Sequence, residues 1–369
     1  MKTKTRLILC AGLVLLLNCC SSPSKNGSSK QDAENTSNSR SASTTDTPLG
    51  ATEAAAVNRP ASRGLPYELV LIIPRAAYTG ELKDSLEAVL LGSTPLLPQH
   101  EPMFRLDVAY TDGNLTPWRT MRNRLVVDID RSLTRSQLQI AYDPVARPQV
   151  EIRLTAPSPH DLALYLGTHR TRITDLFVNH ELNYEASCLR RKHDRMTYDS
   201  LRALCGHTIC VPSSFRASKR GIDFLWTGTN LNDKDQNFVY YSYPWNGQPL
   251  SMQQFVAKHD SILQANIPGS RPDQWMQTAT ASSTNASSTP TEKRPLVIAR
   301  TRTINNIKVL QVHGLWEMRN GALGGPFVAL ERVDSAAHRV IVTEAFVYSP
   351  HSPKRDIMRQ MEAALWTFK

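Results

Sequence analysis

Seven short runs rich in β-branched and aromatic residues crowd the chain after His207, and that density constrains the fold more than any other feature of the sequence. They are Ile209 to Val211, Ile222 to Thr227, Phe238 to Tyr243, Leu296 to Arg300, Val309 to Trp316, Phe327 to Val333 and Val340 to Tyr348. Two helical patterns interrupt them. One opens with Ser251 and Gln254 as a capping box, and Leu250 and Phe255 stand where a hydrophobic staple would form. The other opens at Ser352 and Pro353 and carries Ile357, Met361, Leu365 and Phe368 on one face. Residues 206–369 therefore predict a mostly antiparallel sheet with two helices. Within them Thr278 to Thr291 is a Ser, Thr and Ala run with no apolar period, which predicts a disordered insertion near 278–291.

Upstream the pattern changes to alternating strands and helices. Tyr67 to Ile73, Arg124 to Asp130 and Gln149 to Thr155 read as strands, and Gly80 to Leu91 has helical spacing through Leu82, Leu86, Val89 and Leu90. Ser158, Pro159 and Asp161 supply an N-cap, a first-turn proline and a first-turn acid. From there an amphipathic pattern through Leu162, Leu166, Ile173 and Phe177 runs towards Arg190. The predicted class is α+β, with an α/β subdomain over 64–205 followed by an α+β subdomain over 206–369.

The first twenty residues place Lys2, Lys4 and Arg6 before an apolar stretch from Leu7 to Leu17, then Asn18, Cys19, Cys20 and two serines. This is the pattern of a secretory signal over 1–19, and its apolar core of about ten residues is too short for a lasting membrane span. A cysteine at the end of such a core resembles a lipobox, which makes Cys20, with Leu17 three residues before it, the expected acylated N-terminus. Acylation at Cys19 is the alternative. Residues 20–63 hold almost no large apolar side chain and predict a flexible tether. The chain carries 43 basic and 33 acidic residues, a formal +10, which becomes +7 once Lys2, Lys4 and Arg6 are removed. A surplus that mild, with 41% hydrophobic and 7% aromatic residues, excludes a fibrous or multi-span protein.

Catalytic signatures are scarce. The sequence has no Gly-x-Ser-x-Gly elbow, no His-Glu-x-x-His and no phosphate-binding Gly-x-x-x-x-Gly-Lys. Glu344 shares a strand face with Val342 and Phe346, so it is the candidate buried acid for an enzyme reading; an outward acid paired with an arginine is the other reading. Cys188, His193, Cys205, His207 and Cys210 cluster without zinc-finger spacing, and export favours a disulfide over a metal site or inert thiols. If a helix ending near Arg190 reverses at Asp194 to Thr197, Cys188 and Cys205 face each other across the pair, with Cys205 to Cys210 as the alternative bridge. Gly321, Gly324 and Gly325 fit a hairpin turn or a close approach to a ligand. Lys354 and Arg355, with Arg359 one turn on, crowd a helix start that favours negative charge, which makes them a candidate anion site. No cofactor and no metal are expected.

Gly314-Leu315-Trp316, Gly324-Gly325-Pro326-Phe327, Phe346-Val347-Tyr348 with Pro350, Lys354-Arg355, Arg359-Gln360 and Glu362-Ala363 together resemble a Bacteroidota lipoprotein family, domain of unknown function 4837. Pro66-Tyr67-Glu68, Pro148-Gln149 and Thr155-Ala156-Pro157-Ser158 extend the likeness over about residues 64 to 369. The resemblance implies an envelope lipoprotein and no activity. Surface-exposed lipoproteins of that phylum carry acids close behind the lipidated cysteine, whereas here the nearest are Asp32 and Glu34. The periplasmic face of the outer membrane is therefore expected, with the cell surface as the alternative. Expected partners are the membrane, through the lipid, and an envelope component or protein bearing anionic groups; nucleic acid is not expected. The phylum glycosylates Asp-Ser sites followed by a small or apolar residue, and of Ser85, Ser200, Ser261 and Ser335 the last reads as an exposed turn. The order of elements in the second half is similar to PsbP-like sandwiches, a likeness of fold alone.

Overall fold

A strand buried on both faces needs an unbroken apolar run. β1 (Glu68–Ile73) has one, and from Leu69 to Ile73 every residue is buried. In the computed structural model, which describes residues 59–282 and 293–369, β1 lies inside a five-stranded sheet. After it come α1 (Gly80–Leu90), β2 (Arg105–Tyr110), β3 (Asn123–Ile129), β4 (Gln137–Tyr142), β5 (Val150–Ala156) and α2 (Pro159–Arg191). The sheet order is β2-β1-β3-β5-β4; β1, β2, β3 and β5 are parallel and β4 runs antiparallel on β5. The two strands that periodicity did not reveal, β2 and β4, are its edges. Both are only partly buried, so neither needs a clear apolar pattern.

The Ser158 side chain accepts from Asp161 N, starting α2 where the sequence placed it. Leu162, Leu166, Ile173 and Phe177 of α2 meet Leu82, Leu86 and Leu90 of α1 over the inner sheet face. Full burial of each such side chain contributes roughly 1.5–3 kcal/mol. A buried ion pair penetrates this layer. Glu181 accepts from Asn123 Nδ2 at 2.6 Å and pairs with Arg122 at 2.9 Å, tying α2 to the sheet.

The rest of the chain builds the second sheet. Its elements are α3 (Arg195–Cys205), β6 (Ala217–Arg220), β7 (Phe224–Gly228), β8 (Asp235–Pro244), α4 (Met252–Asn266), β9 (Met276–Thr278), β10 (Thr280–Ser282), β11 (Lys293–Pro295), β12 (Val297–Ile304), β13 (Ile307–Met318), β14 (Gly324–Asp334), β15 (Arg339–Tyr348) and α5 (Arg355–Leu365). The order β12-β13-β14-β15-β8-β7-β6 is antiparallel throughout, β9 adds to β13, and β10 pairs with β11. The Ser251 cap forms as its spacing implied, accepting from Gln254 N. α4 covers one face of this sheet through Phe255, His259 and Leu263. α5 covers the other and also packs on α2, so both sheets share one continuous core. The class is α+β, as the sequence indicated.

Two expectations change. Ile209 to Val211 is buried but pairs with no strand among the described residues; Thr208 and Lys369 exchange backbone hydrogen bonds there instead. The start of the expected disordered insertion is ordered, because Thr278 ends β9 and Thr280 opens β10. Residues 283–291 of that insertion, the signal, Cys20 and the tether up to residue 58 lie outside the described residues. No helix among the described residues is long and apolar enough to cross a membrane.

Candidate functional site

Where α2 and α5 diverge over the β12 and β13 edge of the second sheet, they leave a cleft of about 430 Å³. The segment after α1, Ser93 to Leu97 and Met103, forms its remaining wall. Val89, Leu97, Met103, Val178, Ile298 and Met358 give the lining an apolar character. Leu96 holds φ at 53°, the left-handed region that a leucine rarely adopts, and it too lines the cleft.

The charges around this space differ in how they are committed. Glu362 of α5 is buried; its Oε1 accepts from Gln311 Nε2 at 2.5 Å and its Oε2 lies 3.5 Å from His313 Nε2. Burial pushes the Glu362 carboxyl up, but His313, Arg359 and Arg302 outweigh it and hold it below the usual carboxylate range. Arg300 pairs with Asp175 at 3.0 Å and donates to Gln311. Arg170 is exposed on α2, and its guanidinium has no hydrogen-bond or ion-pair partner among the described residues. Its guanidinium lies over Gly92, where an added Cβ would come within 2.2 Å of Nη2, so the glycine makes room for it.

The expected anion site is already filled by the chain itself. Lys354 N and Arg355 N donate to the two oxygens of Glu101 at 2.7 and 2.9 Å, so this carboxylate meets the positive end of α5. Lys354 and Arg355 are themselves buried. Lys354 Nζ donates to Gln99 and Ser352, while Arg355 holds Asp356 and the Pro102 carbonyl. Arg359 is 5% exposed, donates to the Met103 carbonyl at 3.0 Å and lies 4.0 Å over the Tyr67 ring. Sequence distance hid this arrangement, because Glu101 stands far from α5 in the chain.

Glu344 is buried, as its strand face implied, and does not line this cleft. His259 Nε2 lies 3.2 Å from its carboxylate, and His259 Nδ1 meets Asp260 at 2.9 Å. Thr278 completes the group, donating through both N and Oγ1 to Asp260 at 2.7 Å. Burial opposes charge on His259, but Glu344 and Asp260 more than offset it and raise its pKa to about 9.

The expected bridge between Cys188 and Cys205 is absent, and all three described cysteines are free thiols. The reason is the path of α3, which packs on β7, with Thr197 Oγ1 donating to Thr227 Oγ1, instead of doubling back along α2. Cys188 accepts from Arg191, and Cys205 donates to the Leu201 carbonyl. The His193 ring lies tilted against Tyr198 and the His207 ring against Phe368. Among the described residues, no group of three or more His, Cys, Asp or Glu could hold a metal ion. Gly321 lies in the β13 to β14 turn, whereas Gly325 is in β14, where an added Cβ would lie 2.1 Å from the Val347 carbonyl oxygen. Ser335 is exposed in the turn between β14 and β15, where Ala337 N donates to Asp334.

Sequence reasoning missed the cleft residues Arg170, Asp175, Arg300, His313 and Glu362. One readable sign existed. The apolar stripe of α2 runs through Leu162, Leu166, Ile173 and Phe177 but breaks at His169 and Arg170, where a side chain of the same face is polar.

These features define an α+β protein of two sheets with an apolar cleft edged by charge. Residues 194–367 match the model of a domain of unknown function, DUF4837, and residues 62–189 match that of a second, DUF8532. The resemblance read across the whole body thus divides between two family models. A search of curated proteins finds no match. Among solved structures the chain is similar to the Saccharomyces cerevisiae Ran-binding protein Mog1p, with 10% identity over 45% of this chain and 92% of that one and a TM-score of 0.28. It is also similar to human StarD13's lipid transfer and protein localization domain, with 9% identity over 42% and 82% and a TM-score of 0.20. Scores this low add nothing to the fold described above.

Proposed function

We propose that this chain is a binding module, not an enzyme, held at the periplasmic face of an outer membrane by a lipid on Cys20, with the α2, α5 and β12 cleft as its ligand site. The observation that carries this reading is where the space lies. The cleft is mostly apolar, with a volume inside the range of about 300–1,000 Å³ common for small-molecule sites. Glu344, the acid on which an enzyme reading depended, is sealed beneath α4 and bound to His259. The signal-like N-terminus and the Ser, Thr and Asn-rich stretch behind Cys20 support the anchor. The exposed turn at Ser335 supports its use as a glycan acceptor, which an intact mass above polypeptide plus lipid would show.

Native mass spectrometry of the protein extracted from membranes tests the binding role. A bound small molecule is expected, and Thr171→Trp, which puts an indole at the exposed mouth of the cleft, should remove it. A molecule retained in that variant places the site elsewhere. The anchor is tested separately, because Cys20→Ala should release the protein from membranes or leave it unprocessed.

A further inference from the structure

We infer that the cleft takes a single-chain amphiphile with an anionic head group, carboxylate or phosphate, the head at Arg170 and the apolar chain along Val89, Val178 and Met358. The inference rests on the cleft being the ligand site and adds what enters it.

Three observations point the same way. The lining is mostly apolar, with Val89, Val178 and Met358 all less than a tenth exposed, so a hydrocarbon chain placed there would lose contact with water at little polar cost. The charge at the edge is one-sided. Arg170, Arg300, Arg355 and Arg359 line the cleft against Asp175 and Glu362, an excess of two cations before His313 is counted. Within that excess the arginines differ in availability. Arg355 and Arg359 spend donors on the Pro102 and Met103 carbonyls, and Arg300 is held by Asp175, whereas Arg170 has no such partner among the described residues. Gly92 leaves the space its guanidinium fills, so the fork stands at the mouth of an apolar space with its donors uncommitted. A neutral lipid would leave that charge unused, and a cationic one would meet repulsion.

Displacement of a dansyl-labelled fatty acid from the purified full chain tests this. Dodecanoate and dodecyl phosphate should displace the probe, dodecanol should do so more weakly, and dodecyltrimethylammonium and inorganic phosphate should not. Arg170→Gln should weaken dodecanoate by about tenfold, the value of one charge-assisted hydrogen bond, while leaving dodecanol unchanged. Arg170→Lys should keep the preference for anions. Equal affinities for dodecanoate and dodecanol in the native chain, or displacement by inorganic phosphate alone, would overturn the amphiphile while leaving the cleft as the site. Probe binding that persists in Thr171→Trp would overturn the cleft itself. If the probe does not bind at all, the amphiphile is wrong, and the mass measurement on the extracted protein then decides the cleft.

Discussion

On the α4 face of the antiparallel sheet, Glu344, His259, Asp260 and Thr278 bond to one another. On the α5 face Glu362 bonds to Gln311 and His313 while Arg359 donates to the Met103 carbonyl, and Arg359, His313 and Glu362 border the cleft. The same strands therefore present two polar groups, one closed at Glu344, His259 and Thr278 with Asp260 as its outer member, and one bordering the cleft. The closed members hold the fold. An open group fixes the walls of a site and gives it a charge, and the uncommitted Arg170 stands on the open side.

The sharpest test of the closed group removes its only histidine. His259→Ala leaves Glu344 buried without a partner, and loss of one member of a buried pair typically costs about 3–5 kcal/mol. Chemical denaturation should show that drop with ligand binding intact in the molecules still folded. A loss below about 1 kcal/mol would mean that the His259 contact does not act as a buried pair, and the contrast between the faces would fall.

Raised and lowered groups should respond to pH in opposite directions: Glu331 and His259 of the α4 face are raised, whereas Glu362 of the α5 face is held low, as is Asp260 beside His259. On the α4 face Glu331, which accepts from Tyr243, is raised by burial from 4.5 to about 7, and His259 is raised from 6.5 to about 9. A group whose folded pKa is raised contributes stability that is complete below its unfolded value and lost as pH rises through the folded one. This face should lose stability between pH 4.5 and 7 through Glu331 and between 6.5 and 9 through His259. Glu362 on the α5 face is held low, so its contribution is present above its unfolded value and lost as pH falls. Each alkaline-going limb should amount to about 3 kcal/mol in unfolding free energy. Glu331→Gln should flatten the lower alkaline-going limb alone, and Glu362→Gln should reduce the acidic one, to which Asp260 also contributes. If Glu331→Gln instead alters the acidic limb, the assignment of groups to faces is wrong.

At the start of α5 the expected effect is smaller. Glu101→Ala removes the carboxylate that receives Lys354 N and Arg355 N, and loss of such a cap costs about 0.5–2 kcal/mol. The test is thermal unfolding. Neutralising Glu101 should also loosen the Ser93 to Met103 wall and so weaken ligand binding, an effect that no variant of the closed group should share.

What could be read in advance follows from how far each interaction reaches along the chain. The Ser158 and Ser251 caps are local, and both form as the spacing implied. The strand pattern that buries Glu344 was equally visible, because alternation along one strand assigns a face. His259 was not visible as its partner, since it comes from a helix far upstream. At Lys354 and Arg355 the negative charge that meets the helix start comes from Glu101. A helix start favours negative charge whatever supplies it, and only the fold brings Glu101 there. The cleft itself is a gap between α2, α5 and an edge strand, and no sequence period encodes a gap.

The smallest effect concerns the thiols on the α5 side. A bridge between Cys188 and Cys205 would tie the end of α2 to the end of α3, and removal of a native disulfide typically costs about 2–5 kcal/mol. As free thiols, Cys188 accepts a hydrogen bond from Arg191 and Cys205 donates to the carbonyl one turn back, interactions that serine largely reproduces. The double replacement Cys188→Ser with Cys205→Ser should therefore change stability by no more than about 0.5 kcal/mol, with or without reductant. Peptide mapping without reduction should recover both cysteines unbridged. A loss of several kcal/mol that appears only under oxidising conditions would show that α3 does fold back on α2. It would then leave β7, where Thr197 now meets Thr227, and the open side of the molecule would need redrawing from that contact outward.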